Sequence, residues 1–125
     1  MYAPALPRLR ALLLGAVACL VVGCGQSHTG SPEGDRQRGR ELLRQYGCNA
    51  CHRIPGVADA AADVGPPLGT IGGRVYLAGT LPNSAQNLAR WIRNPETYKP
   101  GTAMPNLNVT DRDARDMVAY LARLR

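Results

Sequence analysis

Phenylalanine is absent from this 125-residue chain, and all aromatic residues together make up 5% of it. Large side chains for a core are therefore scarce. The length suits one domain, and a domain of that size has little surface-to-volume margin. A large apolar cofactor would help such a chain fold. Lysine occurs once, as Lys99, so the formal charge of +6 rests almost entirely on arginines spread along the chain. That modest excess reads mainly as a solvated surface and makes no case for nucleic acid. Histidine occurs only at His28 and His52, too few for a histidine-rich metal site. No apolar run reaches the ~20 residues of a membrane span.

What is there begins at the N-terminus. Arg8 and Arg10 precede a 13-residue apolar run, "ALLLGAVACLVVG", from Ala11 to Gly23. A basic flank and an apolar stretch of that length form an export signal. The run ends in "VVGC", which resembles a bacterial lipobox, with cleavage leaving Cys24 as a lipid-carrying N-terminus. Cys19 in "AVAC" matches less well, and an ordinary secretory signal is the alternative. Residues 1–23 are thus expected to be a lipoprotein signal peptide. Residues 24–33, with "GQSHTGSPE" after the cysteine, form a flexible tether, and residues 34–125 form the folded domain. Loss of Arg8 and Arg10 with the signal leaves thirteen basic against nine acidic residues.

Four cysteines in an exported chain could make two disulfides. Cys19 departs with the signal and Cys24 takes the lipid, which leaves Cys48 and Cys51. These stand in "CNACH", with His52 next. A zinc site needs four ligands, and adjacent Cys51 and His52 are awkward on one ion. A thioredoxin-like dithiol needs a βαβ setting, and no such strands are visible. The C-x-x-C-H spacing fits covalent attachment of haem c. Two sulfurs can add to the two vinyl groups, and the following side chain then lies under the iron. His52 is the fifth ligand on this reading. Met1 belongs to the signal, and Met117 lies on an apolar helix stripe. Met104, in the Pro-flanked loop "KPGTAMPNL", is therefore the expected sixth. A thioether favours ferrous iron and raises the reduction potential, which suits an electron carrier.

Apolar spacing predicts three helices. The first runs over residues 35–46, with Gly39, Leu42, Leu43 and Tyr46 on one face and the arginines mostly opposite. The second starts at Ser84 and is closed by Pro95. The third starts at Thr110, with Asp111 and Asp113 favoured by the helix dipole. Its stripe is Ala114, Met117, Val118, Leu121 and Leu124, with Arg123 and Arg125 at its end. Residues 53–83 show neither helix nor strand period, apart from a turn of helix expected at Ala58 to Asp63. The fold class expected is all-α, short helices joined by long loops wrapped around a cofactor.

Five segments in order resemble a class I c-type cytochrome: "GDRQRGRELL", "CNACH", "GPPLGTIGGR", "PGTAMP" and "DMVAYL". The stretch "LAGTLPNSAQNLARWIRNP" is similar to cytochrome domains associated with haem–copper terminal oxidases. The resemblance implies a cytochrome c fold with one haem c, covalent through Cys48 and Cys51. His52 and Met104 would be axial. The Pro66 carbonyl would accept the His52 ring N–H, and Arg74, Trp91 and Thr102 would lie at the propionates. Gly39 would let the first helix approach Tyr120. Mitochondrial-type members have a lysine ring, which this chain lacks, so docking would fall to arginines such as Arg53, to apolar contact or to another face.

The function expected is one-electron transfer rather than catalysis. The donor would be a quinol-oxidising complex or another cytochrome. The acceptor would be a terminal oxidase, on the periplasmic side of a bacterial membrane. A fixed haem subunit of an oxidoreductase complex and a haem-based ligand sensor are the alternatives.

Overall fold

The computed structural model describes residues 34–57 and 64–125. The export signal, Cys24, the tether and the expected turn at 58–63 lie outside the described residues.

Four helices follow one another: α1 (Arg36–Gln45), α2 (Ala85–Arg93), α3 (Pro95–Tyr98) and α4 (Asp111–Leu121). Their starts are set by local chemistry. Asp35, Ser84 and Thr110 each accept a hydrogen bond from the backbone N–H three residues on, which caps α1, α2 and α4. Pro95 does close α2, with Asn94 as its C-cap, but it also opens the short α3 as its first residue. Apolar spacing does not predict α3, which has four residues. Proline suits that position because its missing N–H would have no helical partner there. A second addition is a two-stranded antiparallel ribbon, β1 (Tyr76–Leu77) with β2 (Leu81–Pro82). It is too short to show a period in sequence. The last helix ends at Leu121, so Arg123 and Arg125 lie beyond its final turn.

The core is one cluster. Leu42 and Leu43 of α1, Leu88 and Ile92 of α2, and Ala114, Met117, Val118 and Leu121 of α4 meet loop residues such as Ile54, Val57 and Ile71. Met117 is 0% exposed. α4 is the hub, packing on both α1 and α2. No helix among the described residues is long and apolar enough to cross a membrane.

The α1–α4 crossing differs from expectation in two ways. Gly39 faces the backbone of Asp116 and Met117 rather than Tyr120, and a Cβ at 39 would overlap the Asp116 carbonyl. Tyr120 sits one turn on and donates its hydroxyl to the Pro55 carbonyl at 2.6 Å. The charges also behave differently. Arg38, expected among solvated arginines, reaches across to both Asp113 and Asp116. Asp113 and Asp116 are 8% and 5% exposed. A buried carboxylate is stable only when paired or hydrogen-bonded. Asp116 also accepts the Asp35 N–H at 2.7 Å, and Asp113 accepts the Tyr46 hydroxyl at 2.8 Å.

This network predicts a stability plateau in pH. Burial pushes the Asp113 carboxyl up, but hydrogen bonds from Tyr46, Arg38 and Thr110 outweigh it and hold it below the usual carboxylate range. Its contribution is therefore present above ~4 and lost as pH falls through the lower folded value. The Tyr46 hydroxyl, donating to Asp113, is held above its ordinary value. Its contribution is present below ~10 and lost as pH rises through the higher folded value. Urea midpoints measured against pH should be flat between those limits and fall on both sides. Asp113→Asn should flatten the acid limb and Tyr46→Phe the alkaline limb.

Candidate haem-attachment site

Gly47 ends α1 in the left-handed region, at φ +72°. The chain then turns through a single 3-10 turn, Cys48–Ala50. Both the Cys51 and His52 N–H groups return to the Cys48 carbonyl, at 3.3 and 3.0 Å. Two sulfurs and an imidazole are thereby held on one tight turn, all three residues half-buried.

The loop beyond is laced to this turn. Gly65 N–H donates to the Cys51 carbonyl at 2.8 Å, and Leu68 N–H to the Arg53 carbonyl at 2.9 Å. The close approach requires glycine at 65, because a Cβ there would come within 2.6 Å of His52 Nδ1. It sets the Pro66 carbonyl 2.8 Å from Nδ1. A carbonyl can only accept, so Nδ1 carries the proton and the lone pair is on Nε2. That is the tautomer a metal-binding histidine needs. Tyr120 and Arg40 hold the other side of the segment, through the Pro55 and Gly56 carbonyls.

The remaining predicted residues fall on the segment after this turn, on α2 and on the loop after α3. Arg74 is half-buried and donates from Nη2 to the Pro67 carbonyl at 2.7 Å. Trp91 is half-buried on α2 and packs against the core. Thr102 and Met104 share the loop after α3, where Thr102 Oγ1 accepts the Met104 N–H at 3.3 Å. That loop is anchored on α3, since Gly101 N–H donates to Glu96 Oε1 at 2.9 Å and Thr102 N–H to the Lys99 carbonyl at 3.1 Å. Met104 is half-buried. Asn83 was not singled out in the sequence. Its amide donates to the carbonyls of Ile71 and Arg74, at 2.7 and 2.8 Å, and pins the loop that carries Arg74. Its only sequence cue is its place just before the capping Ser84.

The chemistry of these groups separates the three readings of "CNACH". Burial, reinforced by the neighbouring Cys51, pushes the Cys48 thiol up to about 11. A dithiol oxidoreductase works through an easily ionised attacking thiol, which burial disfavours at Cys48. Among the described residues no group of three or more His, Cys, Asp or Glu is arranged to hold a metal ion. One imidazole with a free Nε2, two adjacent thiols and a half-buried thioether do fit a haem. Cys48 and Cys51 would hold it covalently, His52 and Met104 would face its iron, and Arg74, Trp91 and Thr102 would be the polar groups for its carboxylates. Bound haem supplies reversible one-electron chemistry at iron.

Comparison with known proteins agrees. The Cytochrome c family profile matches residues 36–125. Cytochrome c oxidase subunit 2 of Alkalihalophilus pseudofirmus is 35% identical over 89 residues, covering 70% of this chain and 25% of that protein. The same-named protein of Bacillus subtilis is 30% identical over 93 residues, covering 71% and 26%. The chain thus spans about a quarter of the length of these curated relatives. Among solved structures, SoxXA from P. pantotrophus superposes with a TM-score of 0.60 at 22% identity, covering 77% of this chain and 85% of that one. Cytochrome c2 from Rhodobacter sphaeroides superposes at 0.53 and 20% identity, covering 74% and 97%. With the profile match spanning all four helices, the chain belongs to the cytochrome c family, a haem-based electron carrier of the class I type with one haem c attached through Cys48 and Cys51.

Proposed function

We propose that this cytochrome carries single electrons on the periplasmic side of a bacterial membrane. It takes them from a quinol-oxidising complex or another cytochrome and delivers them to a haem–copper terminal oxidase. The observation that carries the reading is the fixed His52 ring, with Nδ1 engaged by the Pro66 carbonyl at 2.8 Å. Opposite it in role stands Met104, the methionine outside the core, on its anchored loop. If both held the haem iron, they would leave little room for a substrate, and a thioether would favour the reduced state. The likeness to oxidase subunit 2 proteins supports an oxidase as acceptor. It also favours a second reading, in which the domain is a permanent subunit of such a complex. Stable co-purification with larger subunits would select that one.

The test is direct. Reduced, haem-loaded protein mixed with oxidase-containing membranes should be reoxidised when oxygen is admitted, and cyanide should stop it. Carbon monoxide should leave the native reduced spectrum unchanged. Reoxidation that ignores cyanide would remove the oxidase. Strong carbon monoxide binding would move the protein to the ligand sensors.

Export and anchoring belong to the same reading. Because "VVGC" resembles a lipobox, Cys24→Ser should release the exported protein into the soluble fraction or block its processing. The check is fractionation followed by mass spectrometry of the N-terminus. Unchanged membrane association with an unmodified Cys24 would refute the lipid anchor.

A further inference from the structure

The groove where the chain enters the domain has no part in holding haem. It has a volume of about 900 Å³ and lies between the start of α1, α2 and α4. Gly34, Arg36, Arg90, Arg93, Arg115 and Arg123 line it, over a floor of small side chains such as Ala89 and Ala119. None of the haem-site residues named above borders it. Five arginines therefore line one concavity with a single carboxylate residue, Asp111. That carboxylate is already paired with Arg93 at 2.5 Å. Arg36, Arg90, Arg115 and Arg123 are exposed. The ion pairs found among the described residues involve none of these four. Arg93 Nε is buried and has no hydrogen-bond partner. Crowded like charges with few counter-charges are at a disadvantage until an anion joins them.

Where the chain leads decides which anion. Gly34 is on the groove, and residues 24–33 join it to Cys24. Ten residues span at most ~36 Å. On the lipid-anchored reading above, on which this step rests, the groove stays within that distance of the headgroups. Guanidinium forks match phosphate oxygens bidentately. Their attraction fades within a Debye length, about 8 Å at physiological salt, so it acts when the groove touches the surface.

We propose that this arginine groove docks on anionic phospholipid headgroups. Docking turns the tethered domain so that the start of α1, α2 and α4 face the bilayer and the loops carrying His52 and Met104 stay clear of it. A cytochrome held this way presents its haem site sideways or outward to membrane-bound partners rather than tumbling on its tether.

The experiment uses the lipidated, haem-loaded protein on vesicles of phosphatidylcholine alone or with added phosphatidylglycerol. Arginines are modified with phenylglyoxal and quantified by peptide mass spectrometry. Arg36, Arg90, Arg115 and Arg123 should react roughly fivefold more slowly on the anionic vesicles. Half-molar salt should abolish the protection, and exposed Arg112 outside the groove should react alike on both. The triple variant Arg90→Gln/Arg115→Gln/Arg123→Gln, with parental haem spectrum and melting temperature, should lose the protection at Arg36. Equal reactivity on the two vesicle types would overturn the proposal. So would protection that appears only when membrane proteins are added, since the occupant would then be a protein. Failure to float with phosphatidylcholine vesicles would instead sink the lipid anchor. The unanchored protein would still report the groove through salt-sensitive binding to the anionic vesicles, and absence of that binding would overturn the proposal too.

Discussion

Met104→Ala should keep its haem and lose much of its reduction potential. The two thioether bonds through Cys48 and Cys51 do not depend on residue 104, so covalent haem should persist in denaturing pyridine. A methionine thioether on haem iron favours the ferrous state, and Met104 is the residue proposed for that place. Each tenfold of that preference is worth about 59 mV for one electron, so a fall on the order of 100 mV or more is expected. The near-infrared sulfur-to-iron band should vanish, and the reduced protein should now take carbon monoxide. Replacement by another side chain is disfavoured by the geometry of the loop. It is tied to α3 through Glu96 and Lys99, and Met117, the other methionine of the domain, is fully buried in α4. A variant with native band and native potential would show that Met104 is not the ligand.

Gly39→Ala should be the most damaging glycine-to-alanine change among the described residues. Two effects compete. Alanine in a helix interior is favoured over glycine by about 1 kcal/mol. Against that, the new Cβ would overlap the Asp116 carbonyl carbon and oxygen and lie 2.9 Å from the Met117 nitrogen. Those are backbone atoms of α4, so no rotamer change relieves the clash and the helices must separate. Overpacking of this kind costs ~3 kcal/mol. The overlap wins, and the melting temperature should fall by about 10 °C. Separation would also loosen Arg38 from Asp113 and Asp116. Gly73→Ala is the control, because a Cβ there meets nothing within 4 Å; it should change stability by less than about 0.5 kcal/mol. If both variants melt together, the close α1–α4 crossing is not what sets the stability.

The helices were legible for a local reason. Asp35, Ser84 and Thr110 each bond the N–H three residues on, and a run of a dozen residues holds both the cap and the apolar stripe. The same holds for the attachment turn, whose chemistry is carried by five consecutive residues. α3 escaped because four residues carry no period, and Pro95 reads as an ending before it reads as a beginning. The β1–β2 ribbon escaped because two-residue strands cannot alternate.

By itself, then, the sequence determined the attachment motif, the three longer helices and the order of segments that marks the family. All of these depend on spacing along the chain. Tertiary structure alone decided which charges are buried and which groups meet. Arg38 finds Asp113 and Asp116 across 75 and 78 residues of chain. The Pro66 partner of His52 is a backbone carbonyl, and every residue has one. Gly39 meets Asp116 rather than Tyr120 because the crossing point of two helices is set by packing, not by either helix. The arginine groove likewise exists only because the start of α1, α2 and α4 are brought together, at positions whose charges looked evenly scattered when read in a line.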